Sequence, residues 1–489
     1  MANRRSYKTD VSFLQKISIG AVGTHRVFED LRQQGHTPIE LERGSMSFKI
    51  WRIIKIKRIR VPDILCIDCS RRVESRAKTK LEISMSHSFS DPKRGWDYGL
   101  EDDDFVALVA CRRVGDRPID WQADDLVQYV SVGQLRAAQS SGLVLGVPPK
   151  GAEEGFEARI TWPASIASAA GVVKQVSEER LQYRRQTDDR IITLKLSRRR
   201  VSLEPLVREG DVIVANQVLA SVVPVVRFFP CSKTVSERDY VTRLSSSSLS
   251  ERYAASKALS YFDSAEVIEA LVHKASDAKD HIYVRLEAAA SLARRGDKHG
   301  IAFIGRCLSD QYLQSRLEAV IVLGEVGTRV ASRMLVDTLC DDNQHPEIRA
   351  GAAWALGELR DKSALDALIA SFVTVEQGIR IEAARALAKL ATEFTQEIME
   401  EFPRSEPLKR PGIAWALSKA DRFTVEQLLG TLVDDDARRW GAYIIGSQDQ
   451  QNYISQIEAL RLKDPEVYFA VTVLWQIMSS WVYGLEEHG

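Results

Sequence analysis

Asp63 follows Pro62 at the entry of a short apolar run, and Glu74 opens the next run across a turn carrying Asp68 and Ser70. Alternate residues of a strand share a face, so Glu74, Arg76 and Lys78 are expected to point the same way. Pairing with the preceding strand can bring Asp63 alongside them. Two carboxylates and a cation converging in this way suit Mg2+ or Mn2+. Carboxylate oxygens are the ligands Mg2+ prefers, and the metal polarises a phosphodiester and activates a water. Asp63 and Glu74 are the expected metal ligands. Lys78, or Arg76 in its place, would stabilise charge on the phosphate oxygens. The bland alternative is turn chemistry at Pro62-Asp63 followed by a solvated Glu-x-Arg-x-Lys strand face.

The same stretch is locally basic. Lys49, Arg52, Lys55, Lys57, Arg58, Arg60, Arg71, Arg72, Arg76, Lys78 and Lys80 outnumber Asp63, Asp68, Glu74 and Glu82. A groove that tracks a nucleic-acid backbone has this distribution, and Lys55, Lys57, Arg58 and Arg60 are its expected phosphate contacts. Against this stands the use of Lys and Arg to protect strand edges. Cys66 and Cys69 form one Cys-x-x-Cys pair at the strand turn. One pair is half a zinc site, and Cys111 and His87 stand at no recognisable ligand spacing from it. Zinc is therefore not expected at Cys66 and Cys69, and two buried thiols are the simpler reading.

These residues need elements to position them. Thr24 to Gln34 reads as an amphipathic helix with Val27, Phe28 and Leu31 on one side and Gly35 as its stop. Thr37 to Leu41, Lys49 to Ile59, Arg60 to Ile67, Arg72 to Ile83 and Phe105 to Cys111 read as strands, which together make an α/β core within residues 1–150.

Three runs in this region, GTHRVFEDLRQQGHTPIELERGS, RVPDILC and RRVESRAKTK, resemble the PD-(D/E)xK nuclease superfamily. Their layout is similar to Holliday-junction resolvases and Mrr-like restriction nucleases. The resemblance implies that Glu29 is the helix glutamate, Gly44-Ser45 the Gly-Ser after the first strand, Asp63 the metal-binding aspartate and Glu74 the second acid. Arg76 stands where the family has lysine, and Arg does not give up its proton. Lys78, one step along the same face, is the substitute.

Residues 151–230 read as a small all-β unit, with strands at Glu157 to Thr161, Gly171 to Val176, Ile191 to Leu196 and Val212 to Ala215 and a turn at Gly210-Asp211. The phrase LEPLVREGDVIVANQVLASVVP resembles the barrel-sandwich hybrid of lipoyl and biotinyl domains. The acid-Lys-(Ala/Met) triplet of those carriers does not occur, so a β scaffold is expected. Residues 231–248 read as a linker, with Ser245 to Ser248 as a polar hinge into the next part.

From residue 249 to 489 the phrase R-x-x-A-x-x-A-L returns at Arg252, Arg285, Arg316, Arg349, Arg380, Arg410 and, in degenerate form, Arg439, every 29 to 33 residues. That is enough chain for two short helices and two turns. In the best copy Ile348, Ala352, Ala355, Leu356 and Leu359 make one apolar stripe. A single hairpin cannot cover such faces and stacking can. The arginines are expected to form a ladder to acids or carbonyls of the preceding turn. The units resemble HEAT repeats, particularly the short variety found in phycobilin lyases, which implies a right-handed stack that holds another macromolecule. The last helix, with Phe469, Val473, Leu474, Ile477, Trp481 and Tyr483, reads as a cap or docking surface.

The 489 residues therefore read as multidomain: an α/β nuclease-like part, a small β part and an all-α solenoid. Lys+Arg and Asp+Glu both total 67, so global charge gives no hint of nucleic acid and only the local basic stretch does. Six cysteines in so long a chain make no disulfide framework. The start lacks a long apolar run and no window reaches eighteen uncharged apolar residues, so a cytoplasmic protein with no membrane partner is expected. No phosphate-cradling glycine loop or nucleophile motif appears. Two functions fit. One is a metal-dependent nuclease or DNA-processing protein with a HEAT scaffold, serving bacterial genome or antiviral defence. The other is a non-catalytic HEAT adaptor that binds DNA and a partner protein. A lyase-like chaperone, suggested by the repeat type alone, leaves the first half unexplained.

Overall fold

The computed structural model describes residues 10–41, 54, 59–147, 158–198, 201–420, 423–448 and 450–486. The chain divides into two compact units, one of Met1–Met46 and Arg58–Asp263, the other of Ser47–Lys57 and Ser264–Gly489. The expected boundaries near 150, 230 and 248 do not separate compact units.

The first unit opens with α1 (Asp10–Gln33), longer than the helix read from Thr24. Gly35 ends it at φ 84, the left-handed geometry glycine adopts without strain. There follow β1 (Pro38–Glu40), β2 (Ile64–Cys66), β3 (Arg72–Lys78), β4 (Ile83–His87), β5 (Phe105–Arg113) and β6 (Trp121–Ser131). The five-stranded sheet has the order β1-β2-β3-β5-β6. Only the β3–β5 pair is parallel. The single strand read from Arg72 to Ile83 is two strands, β3 and β4, which belong to different sheets. The strand read at Lys49 to Ile59, apart from Ile54 and Ile59, and the Gly44-Ser45 pair lie outside the described residues.

One face of the five-stranded sheet packs on α1 through Val27, Leu31, Val73, Ala107, Val109 and Val127. The approach is close: a Cβ on Gly23 would sit 2.3 Å from that of Ala77. The opposite face carries Val106, Leu108, Ala110 and Val130. They share a core with β4, α2 (Val132–Ser140) and β8 (Ala158–Trp162), and β7 (Leu145–Val147) pairs with β8.

Further strands are β9 (Ala164–Ile166), β10 (Gly171–Val176), β11 (Arg180–Arg185) and β12 (Ile191–Lys195). Short pairs follow: β13 (Ser197–Arg198), β14 (Val201–Ser202), β15 (Glu204–Pro205), β16 (Val212–Ile213) and β17 (Val218–Ser221). They enclose their own core of Val173, Leu181, Tyr183, Leu196, Ile213 and Leu219. Val218 and Val223, however, belong to the core beneath β5. The middle segment thus has its own core and also contributes to the core beneath the first sheet, within the same compact unit.

The stretch read as a linker is ordered too. Tyr240, on α3 (Glu237–Arg243), is fully buried, and its hydroxyl donates to the carbonyls of Cys66 and Ile67. Ser248 caps α4 (Leu249–Ala258) by accepting from the Glu251 amide.

The second unit is a run of helices: α5 (Ala265–Ser276), α6 (Ile282–Ala293), α7 (Lys298–Leu308), α8 (Leu313–Val326), α9 (Arg329–Cys340), α10 (Pro346–Leu359) and α11 (Leu365–Ala370). It continues with α12 (Gln377–Ala391), α13 (Thr395–Arg404), α14 (Arg410–Leu417), α15 (Val425–Leu429), α16 (Asp435–Gly446), α17 (Gln450–Glu458), α18 (Leu460–Lys463) and α19 (Pro465–Glu486). Small residues let successive even-numbered helices touch, as the alanine pattern implied. A Cβ on Gly357 of α10 would lie 2.7 Å from Cα of Ala386 on α12. No helix among the described residues is long and apolar enough to cross a membrane.

Candidate functional site

The expected catalytic residues are distributed over both faces of the first sheet. Val73 and Ala77 face α1, so by strand alternation Glu74, Arg76 and Lys78 face the other way. Their partners across β5 agree: Glu74 lies beside Val106 and Lys78 beside Ala110, both in the core away from α1. The shared face expected of these three is observed. Glu29 sits on α1, across the sheet, where it pairs with Arg26 at 3.1 Å and His25 at 3.5 Å.

Each remaining member has a local partner. Asp63 Oδ2 accepts from the Ser75 amide at 2.7 Å. Arg76 Nη2 lies 2.7 Å from Glu74 Oε1. Lys78 Nζ donates to the Ser84 carbonyl and Oγ, both at 2.7 Å, and to the Glu82 carbonyl at 3.1 Å. Burial pulls the Lys78 ammonium down to about 7, with Glu82 opposing. Among the described residues the three acids do not gather into a metal-ligating group. These side chains do not fit Mg2+ or Mn2+ as they stand, because Asp63 is held by the Ser75 amide, Glu74 by Arg76 and Lys78 by Ser84.

Several side chains of the basic stretch are engaged within the protein. Arg72 forms a two-pronged, buried pair with Asp104, Nε–Oδ1 2.7 Å and Nη2–Oδ2 2.6 Å, and reaches Ser250 Oγ on α4 at 2.8 Å. Arg71 lies over the rings of Phe105 and Phe229 at 5.0 and 5.1 Å. Arg60 donates to the Gly95 carbonyl. Lys80 is exposed. Lys55, Lys57 and Arg58 lie outside the described residues.

A different group of reactive side chains does converge. His36, in the turn between α1 and β1, faces Cys66 at the end of β2, Cys69 in the β2–β3 turn and Cys231 after the middle strands. Their ligating atoms all lie within 4.8 Å of one another. Sγ of Cys66 and Cys231 are 3.8 Å apart, and Cys69 Sγ is 3.5 Å from His36 Nδ1. His36 Nε2 lies 2.7 Å from the Phe229 carbonyl. A carbonyl only accepts, so Nε2 carries the proton and Nδ1 turns a lone pair toward the sulfurs. Burial lowers the His36 pKa, but hydrogen bonds to Cys66 and the Phe229 carbonyl outweigh it and raise the net value. The Cys69 hydrogen bond holds the Cys66 thiol far below its ordinary value, and the same bond pushes Cys69 up. Sequence reading found the Cys66/Cys69 pair and missed both partners. Cys111 packs beneath α1, where its thiol faces the Ile19 carbonyl, and His87 accepts from the Trp96 amide.

In the second unit the arginine ladder is real and differs in detail from expectation. Arg285, Arg316, Arg349 and Arg380 each occupy the fourth position of their helix. Arg285 donates to the Ala275 carbonyl at 3.1 Å, Arg349 to Leu339 at 2.9 Å and Arg316 to Asp310. Arg285 and Arg349 take up a carbonyl in the last turn of the preceding helix, which that helix cannot satisfy itself, and Arg316 takes one in the turn beyond α7. Arg380 is exposed and makes no such bond among the described residues. In α16 the fourth position belongs to Arg438, not Arg439, and Arg438 reaches Asp464 at 2.6 Å.

The two edges of this array differ. Tyr312, Val375, Leu408 and Val433 stand in the turns ahead of α8, α12, α14 and α16, and all are exposed, Val375 by 88% and Leu408 by 73%. At the other ends of the even-numbered helices ion pairs run from helix to helix: Arg294–Glu325, Lys389–Glu358 and Arg360–Glu393.

The family model for HEAT repeats matches residues 302–388. No curated protein matches the chain. Among solved structures, human deoxyhypusine hydroxylase is 20% identical over 43% of this chain and 94% of its own, with a TM-score of 0.22. The CpcE–CpcF phycocyanin lyase complex of Nostoc is 17% identical over 51% and 98%, TM-score 0.27. An archaeal HEAT-like repeat protein of Thermococcus onnurineus is 14% identical over 44% and 97%, TM-score 0.25. At TM-scores this low the three likenesses carry no argument about activity.

Proposed function

We propose that this chain is a non-catalytic HEAT-repeat adaptor whose helical array engages a partner protein along one edge. The observation that carries this reading is the asymmetry of the two edges. The turns ahead of α8, α12, α14 and α16 each expose a large apolar side chain, while the opposite edge carries ion pairs from helix to helix. Exposed apolar groups repeated along one line are what a protein surface covers on binding. Isolated ones would need no explanation. The test is substitution of Leu408 and Val433 by glutamate. Partner binding should be lost with the helical content and melting temperature unchanged.

DNA is the proposed second ligand of the adaptor, through Lys55, Lys57, Arg58 and Arg60. Retained phosphodiester hydrolysis is the competing proposal. It is favoured by one contact: the Asp63 carboxylate bonds the amide next to Glu74. Glu74 is engaged by Arg76 and Lys78 by Ser84, which weighs against it. Cleavage of DNA or RNA with Mg2+ or Mn2+ that disappears in Asp63→Ala would reinstate it. Binding without cleavage supports the adaptor.

A further inference from the structure

We propose that His36, Cys66, Cys69 and Cys231 bind one structural Zn2+. The argument begins with spacing. Around a tetrahedral Zn2+ with Zn–S of about 2.3 Å and Zn–N of about 2.0–2.1 Å, two sulfurs stand about 3.8 Å apart and a sulfur and a nitrogen about 3.6 Å. Cys66 and Cys231 are 3.8 Å apart, and Cys69 and His36 3.5 Å. All four ligating atoms fall within 4.8 Å of one another, so one ion can touch them all.

The surroundings are those of a metal site. His36 presents Nδ1 because its Nε2–H is held by the Phe229 carbonyl at 2.7 Å. That outer bond fixes tautomer and ring orientation, as it does for most zinc-bound imidazoles. The ring is further pinned by stacking on Phe229 at 5.2 Å. The Cys66-x-x-Cys69 turn closes through Ser70 at φ 54, and Lys233 near Cys231 has φ 49. Non-glycine residues rarely adopt this left-handed geometry, and both stand within two residues of a cysteine of the cluster.

His36, Cys66 and Cys69 are buried and Cys231 half-buried. Four protein ligands leave no open position, so the role is structural. The ion would clamp together the start of β1, the β2–β3 turn and the segment leading into α3. These are far apart in sequence, since Cys66 and Cys231 are separated by 165 positions. Without metal, three thiols and an imidazole facing one another gain little, and β2 is left tied to the α3 region by the Tyr240 hydroxyl and the Val235–Asp68 backbone bond.

The experiment uses the full chain, purified without a polyhistidine tag or chelator. Its metal content is read by plasma mass spectrometry and by a colorimetric zinc chelator after mercurial release. One equivalent of zinc is expected. Exchange to Co2+ should give thiolate charge-transfer absorption and the visible bands of tetrahedral coordination. Cys69→Ser and His36→Ala should lose the metal. Cys340→Ser, which alters an exposed cysteine outside the cluster, should keep it. If the ligand variants do not fold, zinc content and the Co2+ spectrum of the unsubstituted chain still decide. Three results overturn the proposal: no zinc retained after Zn2+ is offered, a Cys66–Cys231 disulfide in the intact mass of the native protein, or full zinc in folded His36→Ala and Cys69→Ser.

Discussion

Nε of Arg349 donates to the carbonyl of Leu339 at 2.9 Å, joining the fourth residue of one helix to the end of the helix before it. Its Nη1 also pairs with Asp342 at 2.7 Å. This bond repeats at Arg285 and Arg316 and fails at Arg380, which is exposed. Arg349→Met should therefore destabilise the array by about 1–3 kcal/mol, the worth of charge-assisted bonds left unmade. Arg380→Met should cost less than about 0.5 kcal/mol. Paired urea titrations check both. Equal effects would mean the ladder does not hold the stagger of the repeats.

The buried pair of Arg72 and Asp104 gives a second test. Removing one partner strands the other charge away from water. Asp104→Ala should cost about 3–5 kcal/mol, whereas replacing both partners by apolar residues should cost far less. A double-mutant cycle on the denaturation midpoint measures the difference. Additive losses would show that the two residues act separately.

Lys78 should make stability depend on pH. Its value is pulled down to about 7 by burial, below the ordinary value of about 10.4. Between those limits the unfolded chain binds a proton that the folded chain does not, so stability rises with pH from about 7 to about 10 and flattens below 7. In Lys78→Met this part of the slope should vanish. Urea titrations of both proteins at several pH values across the window provide the check, and an unchanged slope in the variant contradicts the assignment.

These tests separate what sequence could carry from what it could not. The helical array was legible because its period is local: the apolar stripe around Ile348, Ala352 and Leu356 and the recurring arginine lie within one helix. Register blurred where two arginines adjoin, and Arg438 took the position read as Arg439. The shared face of Glu74, Arg76 and Lys78 followed from strand alternation alone. That α1 and Glu29 lie on the other side did not follow, because helix placement is set by long-range packing of Val27 and Leu31. The four-residue cluster was hidden for the same reason. His36 sits in a helix–strand turn and Cys231 in a stretch that reads as a linker, and no spacing rule joins either to Cys66 and Cys69.

The adaptor reading is tested most directly by photo-crosslinking along the array in cells that express the chain. A photoreactive phenylalanine is placed singly at Tyr312, Leu408 or Val433 on the apolar edge, and at Glu358 or Glu393 on the charged edge. A discrete protein adduct from the first three positions and none from the last two is the result expected. No adduct from the apolar edge, or the same adduct from both edges, contradicts the claim that this edge holds a partner.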